Sequence, residues 1–418
     1  MKIACAAGRV SDIFRGMEHS FLPQCDPPEV FIWEEKMLFV CYLFLLFLLL
    51  YGARVAPAGQ FFGDALSYES DLPLRGFFML LIVFHHLSQL LTDPGSLEAL
   101  QGIGILCVSF FFFQSGYGLM KNTLRKTGYL CGFLHRRFCK LLLPFFLCNL
   151  IFVCVNISLG TVYSPVRLFK CLTGLELVNT HAWFILTSAL FQAVFFFIFR
   201  FVRGQGTRYF LLLSFQIAYA CFCMRKGSGL QLFEGPWWFN SSGLFFIGVL
   251  FAGYEAPAVA FFRKNYRLLA GLCPPVFLLF YNVSVFAIHA FPYPSGEISA
   301  LSAGMLKSWF DLGWQTLAVT SFCLAVTLFT LKVKCSNRIL LFLGKISPEL
   351  YLIHGLFIQL FHGQLILLEN EMLFILSVLV CSIAAAAVLH IPCGAAVRFL
   401  QTAAVPARFA LPPGTKKG

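Results

Sequence analysis

Apolar residues in this chain come in long unbroken blocks, not in the alternation of half-buried strands or the single stripe of a soluble helix. After a first block, "MLFVCYLFLLFLLLYGA" at 37–53, others follow at roughly 75–92, 102–120, 141–158, 182–199, 209–224, 239–254, 268–288, 309–331, 346–368 and 372–390. Most reach the roughly 17–25 residues with which a helix crosses about 30 Å of hydrocarbon. The pattern predicts an all-α, polytopic transmembrane helix bundle with a ten-helix core and one extra N-terminal helix. A membrane β-barrel would show alternating segments of about ten residues, which are missing. The block at 209–224 is short, and "RKGSGLQLFEGPWW" at 225–238 predicts an interfacial turn carrying Trp237 and Trp238.

Composition supports this pattern. Of 418 residues, 59% are hydrophobic and 12% charged, against roughly 25% charged in soluble chains. In a soluble protein the net charge of +12 would suggest nucleic acid. Here lysines and arginines gather in alternate loops (121–140, 200–208, 263–267, 332–345) and in the C-terminal stretch, as cytoplasmic loops do. The expected surroundings are therefore a lipid bilayer, with no nucleic-acid partner. The same bias sets Arg75 at the cytoplasmic mouth of its helix, the C-terminus in the cytoplasm and the N-terminus outside. Residues 1–36 form a tail without an apolar core of its own, and 37–53 read as a membrane anchor rather than a signal peptide. The main membrane domain spans 70–398, and 399–418 form a short basic cytoplasmic tail. The sixteen cysteines follow no metal or disulfide spacing and read as small hydrophobes.

Chemistry-bearing residues interrupt the blocks. In "LRGFFMLLIVFHHLSQLL" (74–91), Arg75 and His86 are eleven residues apart, close to three helical turns, so they share a face about 16 Å apart along the axis. Ionisable groups at that depth are expensive and are kept chiefly for function; a structural histidine pair with His85 is the alternative. "VSFFFFQSGYGLMKN" (108–122) offers the Ser115 hydroxyl, with Gly116 and Gly118 permitting close helix approach. "HRRFCKLLLPFF" (135–146) places Arg136, Arg137 and Lys140 at a helix entrance, either as a topology signal or as phosphate ligands. His181 and Trp183 in "HAWFI" stand at an outer helix start, as interface anchors or cleft-lining groups. Tyr351 and His354, at (i, i+3), share a face as a buried pair or as site-lining groups. Glu349 is expected to pair with a nearby lysine, and His289, His362 and His390 to be structural. No residue spacing suggests a metal site.

Taken in order, the Arg–His helix, FFxxSGY, RRxxKLLxPF, HAWFI and "GKISPELYLIHG" (344–355) resemble the acyltransferase 3 family of integral-membrane O-acyltransferases over roughly residues 70–395. "WWFNSSGLFFIGVLFAGYE" (237–255), with Asn240, is similar to a further segment of that family. The resemblance implies an enzyme taking an acyl group, most often acetyl, from cytoplasmic acyl-CoA to a hydroxyl of a carbohydrate outside a bacterial plasma membrane. It implies no permanently bound cofactor. By position, Arg75 and His86 match the family's essential pair, and Ser115–Gly116 its Ser-Gly motif. Arg137 and Lys140 match its RxxR motif, with Lys140 in place of the second arginine. Charge is kept there, but the two-pronged arginine geometry is not. Pro348 and Glu349 also depart from the usual C-terminal motif.

The residues suit that reaction. Cytoplasmic cations, Arg136, Arg137, Lys140 and Arg75, would hold the phosphates of coenzyme A. Its arm would thread inward, and His86, as a neutral base, would take the proton of an acceptor hydroxyl entering from outside. Ser115 or Asn240 is a candidate donor to the oxyanion. His181, Trp183, Asn240, Tyr351 and His354 are the candidate acceptor or site-lining residues. A separate extracytoplasmic partner protein would be compatible with this scheme. The competing function is a transporter or flippase of a polar or acylated glycan precursor. Against it stand the lack of paired half-sequences and of an intramembrane acidic residue suited to ion coupling.

Overall fold

The structure, a computed structural model, describes residues 28–91, 95–225, 232–293 and 302–403. Most of the expected tails 1–36 and 399–418 lies outside these residues, as does the 226–231 part of the anticipated interfacial turn. The chain forms α1 (Pro28–Leu50), β1 (Arg54–Val55), α2 (Tyr68–Ser88), α3 (Gly104–Arg125), α4 (Phe133–Ser158), α5 (Pro165–Thr173), α6 (Trp183–Phe201), α7 (Gln205–Arg225), α8 (Leu244–Gly253) and α9 (Glu255–Lys264). There follow α10 (Tyr266–Ala290), α11 (Ala303–Lys332), β2 (Val333–Lys334), α12 (Arg338–Lys345), α13 (Ser347–Phe361) and α14 (Glu371–Ala403). It is an all-α membrane bundle. Each of the anticipated core blocks is a helix: α2, α3, α4, α6, α7, α8, α10, α11, α13 and α14.

The differences lie in shape. Two expected straight spans are parts of bent pairs, α8–α9 turning by 87° and α12–α13 by 79°. Among the described residues, 7 helical segments are long and apolar enough to cross a membrane, or up to 9 with the bent pairs. Helix α2 is not one of them, because Asp71, Arg75, His85 and His86 dilute its apolar run. It is shielded by protein instead: every residue from Phe78 to Phe84 is buried, against α3, α12 and α13. By contrast, α10 buries only Cys273, Ser284 and Ala287, which suits a helix facing lipid. The anchor helix also begins earlier than expected, at Pro28.

Missing side chains let these helices approach closely. A β-carbon on Gly116 of α3 would stand 2.0 Å from the Phe245 carbonyl oxygen of α8, and one on Gly248 would stand 2.1 Å from the Phe113 carbonyl oxygen. Likewise a β-carbon on Gly76 of α2 would meet the Leu340 carbonyl oxygen at 2.4 Å, and one on Gly344 of α12 would meet that of Leu72 at 2.0 Å. Small residues at such crossings replace the hydrophobic drive that lipid does not supply.

Helix α2 starts cleanly: the Ser67 hydroxyl accepts from the Ser70 N–H, and Glu69 and Asp71 stand in the first turn, where the helix dipole favours acids. The segment after α1 is stapled to the core. β1 pairs antiparallel with β2, Lys332 Nζ donates to the Pro57 and Gln60 carbonyls at 2.8 and 2.6 Å, and Lys334 pairs with Asp64. Asn337 caps α12 and donates to the Leu48 carbonyl at 2.7 Å. The described cysteines are all free.

Candidate active site

The α2 face bearing Arg75 and His86 at its two ends, with Met79 and Ile82 between them, runs between two cavities at opposite ends of the bundle. The first, about 620 Å³, is bounded by the start of α2, the end of α3, the start of α4 and the start of α13. Its rim carries Arg75, Lys121, Arg125, Lys126, Arg137 and Lys140. Met79, Ile82, Phe184, Ile185 and Tyr351 also line it. The second, about 610 Å³, lies between the end of α2, the end of α4 and the end of α13, with His86, Gln89, Tyr163, Arg167, Glu176 and Gln364 among its walls.

Arg75 is half-buried, its Nε donates to Asp71 Oδ2 at 2.5 Å, and its guanidinium lies 5.3 Å from the Tyr68 ring centre. Three turns on, His86 meets His181, from the turn before α6, with ring centres 4.0 Å apart, and His354 of α13 at 5.3 Å. One ring nitrogen from each of the three lies within 4.8 Å of the others. The loop and helix around them are built to hold this group. Asn179 donates to the Leu352 carbonyl at 2.7 Å and accepts from the His181 backbone N–H at 3.2 Å, while the Tyr351 hydroxyl donates to the His181 carbonyl. A β-carbon on Gly355 would strike the His181 ring at 2.7 Å. Tyr351 lines the basic cavity and His86 and His181 line the other, so only a few side chains separate the two.

Three imidazoles are also a donor set for a zinc-like ion. A tetrahedral ion with bonds of about 2.0–2.1 Å wants its nitrogens roughly 3.4 Å apart, so the rings would have to close in around it.

The other anticipated residues divide. Ser115, Arg137 and Lys140 line the basic cavity with Arg75. Gly116 is the helix-crossing residue of α3, and the open space is at Gly118 instead. Arg136 is exposed, outside the cavity, donating to the carbonyls of Cys131 and Tyr129 at 2.5 and 2.7 Å. Trp183 is buried against Phe112 and Trp238, and Asn240 is half-buried; both line neither cavity. His85 donates from Nδ1 to the Leu100 carbonyl at 3.1 Å, a structural role.

One expectation is corrected: Glu349 pairs with His390, at 3.2 Å, and not with a lysine. Asp311 of α11 is a wholly buried acid whose carboxylate oxygens have no partner among the described residues, and it lines neither cavity.

Sequence reasoning missed the walls of the second cavity. Arg167 pairs with Glu176 at 2.7 Å, and Asn156 donates to the Tyr163 hydroxyl at 3.0 Å and accepts from Gln364 at 2.8 Å. It also missed Ser188 and Gln192 in the basic cavity, where among the described residues the Ser188 hydroxyl and the Gln192 carbonyl oxygen have no partner. Their (i, i+4) spacing on the otherwise apolar α6 was the available signal.

The acyltransferase domain of one known family matches residues 74–391, most of the chain. The chain belongs to the acyltransferase 3 family. It is a multi-pass membrane acyltransferase, and the match runs from the residue before Arg75 into the last long helix. No curated protein and no solved structure shows significant similarity to this acyltransferase 3 chain.

Proposed function

We propose that this protein is an acyl-CoA-dependent O-acyltransferase of the plasma membrane. It takes an acyl group, acetyl as the simplest case, from cytoplasmic acyl-CoA and passes it to a hydroxyl of an extracytoplasmic carbohydrate. One observation carries the reading: a single helix face runs from a cation-rimmed cavity to a hydroxyl-compatible one, with Arg75 at the first, His86 at the second and apolar Met79 and Ile82 between them.

The 3′,5′-phosphates of coenzyme A would sit among Arg125, Lys126, Arg137 and Lys140, and its flexible arm would follow Met79 and Ile82 inward. Arg75, already oriented by Asp71, would add a cation at the inner rim. In the transfer step the acceptor oxygen attacks the thioester carbonyl carbon as His86 takes its proton. The carbon–sulfur bond then breaks, and the proton returns to the departing thiolate. A base positioned in this way contributes about 10²–10⁴-fold. Of the two oxyanion donors anticipated, Ser115 is the one that lines a cavity. The amide, hydroxyl and imidazole groups around the second cavity match a sugar's alternating donors and acceptors.

The test is transfer of labelled acetyl from acetyl-CoA to candidate glycans by the purified protein in lipid nanodiscs. His86→Ala should remove transfer while leaving the protein monodisperse. Full activity in that variant would refute His86 as base, and no labelled product from any thioester donor would refute the acyl-CoA reading.

A further inference from the structure

His354 has no surface at all: its side chain is fully buried and lines neither cavity. Its Nδ1 lies 3.2 Å from the Leu350 carbonyl oxygen, one turn back on α13. A carbonyl can only accept, so Nδ1 carries the ring proton and Nε2 is a bare lone pair. That Nε2 is buried without any partner among the described residues. Left so, it would cost roughly 1–3 kcal/mol of unmet hydrogen bonding. An acceptor fixed in orientation, and kept dry beside two other imidazoles, calls for a donor.

A count of protons identifies that donor. Uncharged, the rings of His86, His181 and His354 carry three N–H groups and three bare nitrogens. The His354 N–H is committed to Leu350, which leaves two N–H groups and three lone pairs inside the cluster. The Gln89 side chain reaches His85 Nε2 at 3.4 Å and also His86, but among the described residues no hydrogen bond joins it to His354. Among the three rings alone, one lone pair remains open. If an N–H of its neighbours fills His354 Nε2, the open lone pair falls on a ring that lines the second cavity, where a hydroxyl can reach it.

Resting on the proposed function, we infer that His354 is a positioning residue for the base: its Nε2 accepts an N–H from the His86–His181 pair and so turns a bare imidazole nitrogen of that pair toward the acceptor cavity. The nitrogens are not yet at bonding distance, as is usual before substrate tightens a catalytic site. When His86 takes the hydroxyl proton, the new cation finds the His354 lone pair behind it, as the carboxylate stands behind the histidine in a hydrolase triad. The proton then leaves to the thiolate, and His354 is unchanged through the cycle. His181 completes the group, and Gly355 supplies the space for its ring.

The experiment compares His354→Ala and His354→Gln in the transfer assay, with 15N spectra of histidine-labelled wild-type protein. His354→Ala should lower kcat about 10–100-fold while leaving KM for both substrates within about twofold, and His354→Gln, whose amide oxygen still accepts, should recover much of kcat. Unchanged kcat in His354→Ala overturns the proposal, as does an equal fall in both folded variants. The wild-type spectrum needs neither turnover nor a folded variant. It should contain a neutral imidazole protonated at Nδ1 and bare at Nε2 beyond those of His85 and His289, whose Nδ1 atoms also face carbonyls, and a spectrum with no third such imidazole overturns the proposal even if acyl transfer itself is demonstrated. Stoichiometric zinc in the purified protein, lost in His354→Gln, would also overturn it by reassigning Nε2 as a metal ligand.

Discussion

The two cavities are nearly equal in size, about 620 and 610 Å³, but they treat charge differently. At the basic end, Arg75 is paired with Asp71 and Lys121 with Glu255, yet among the described residues no carboxylate pairs with Arg125, Lys126, Arg137 or Lys140. At the other end, among the described residues, the single guanidinium, Arg167, is matched by Glu176, and the remaining polar walls are uncharged apart from the imidazoles. Uncompensated cations at one mouth fit a polyanionic carrier, whose phosphates they can neutralise. Matched charge and neutral donors at the other fit an uncharged, hydroxyl-rich acceptor. The helix that runs between the two ends carries His86, the proposed base.

The largest effect should come from the junction. His86→Ala should lower kcat about 10²–10⁴-fold, measured with saturating acetyl-CoA and acceptor, because it acts on the step that both cavities serve. A fall confined to one substrate's KM would show that His86 belongs to one cavity alone. Next in size is the basic rim. Arg137→Ala should raise KM for acetyl-CoA about 10–100-fold, the equivalent of one charge-assisted hydrogen bond of roughly 1.5–3 kcal/mol, with kcat and acceptor KM little changed. The same measurement on Arg136→Ala should show almost nothing, since that guanidinium already serves the Tyr129 and Cys131 carbonyls outside the cavity.

That contrast between neighbouring arginines marks how far sequence could go. The long apolar blocks gave the helices, because crossing a membrane imposes a length and composition that few other constraints imitate. Arg75 and His86 were legible because eleven residues nearly close three turns. Arg136 and Arg137 were not separable, because helical phase relative to a neighbour depends on packing, which a lone sequence does not contain. The bends at α8–α9 and α12–α13 were hidden for a related reason: the apolar content of 239–254 and 346–368 says nothing of direction. The second cavity's walls, Asn156, Tyr163, Arg167 and Gln364, lie in loops and at helix ends, with Gln364 arriving from more than 190 residues beyond the other three. No periodicity links them. His354 was noticed only as a neighbour of Tyr351, and its value depends on two other imidazoles that arrive from 170 or more residues away in the chain.

Ionic strength offers a gentler way to separate the ends. Salt at 0.1 M screens exposed charges beyond about 10 Å. KM for acetyl-CoA should rise severalfold between low and moderate salt, while KM for a neutral acceptor stays flat. A parallel rise in both would mean that the acceptor cavity also presents net charge and would break the comparison.

The smallest expected effect falls on the Arg167–Glu176 pair. Arg167 is about half exposed, and Glu176 holds its guanidinium charged, so the pair behaves as a partly solvated surface bridge. Such bridges contribute roughly 0–1 kcal/mol, and Glu176→Gln should leave the melting temperature nearly unchanged. Its effect on function is more specific. Removing the carboxylate leaves Arg167 unmatched, so the second cavity acquires the uncompensated cation that it now lacks. KM for a neutral glycan should move by less than about fivefold, a change of up to roughly 1 kcal/mol, whereas a carboxylated or phosphorylated glycan should become the better acceptor. Acceptor KM should also gain the salt dependence otherwise confined to the donor. If Glu176→Gln leaves the preference between neutral and anionic acceptors untouched, charge matching at this mouth does not select the acceptor, and selection must rest on the shape set by Tyr163, Asn156 and Gln364.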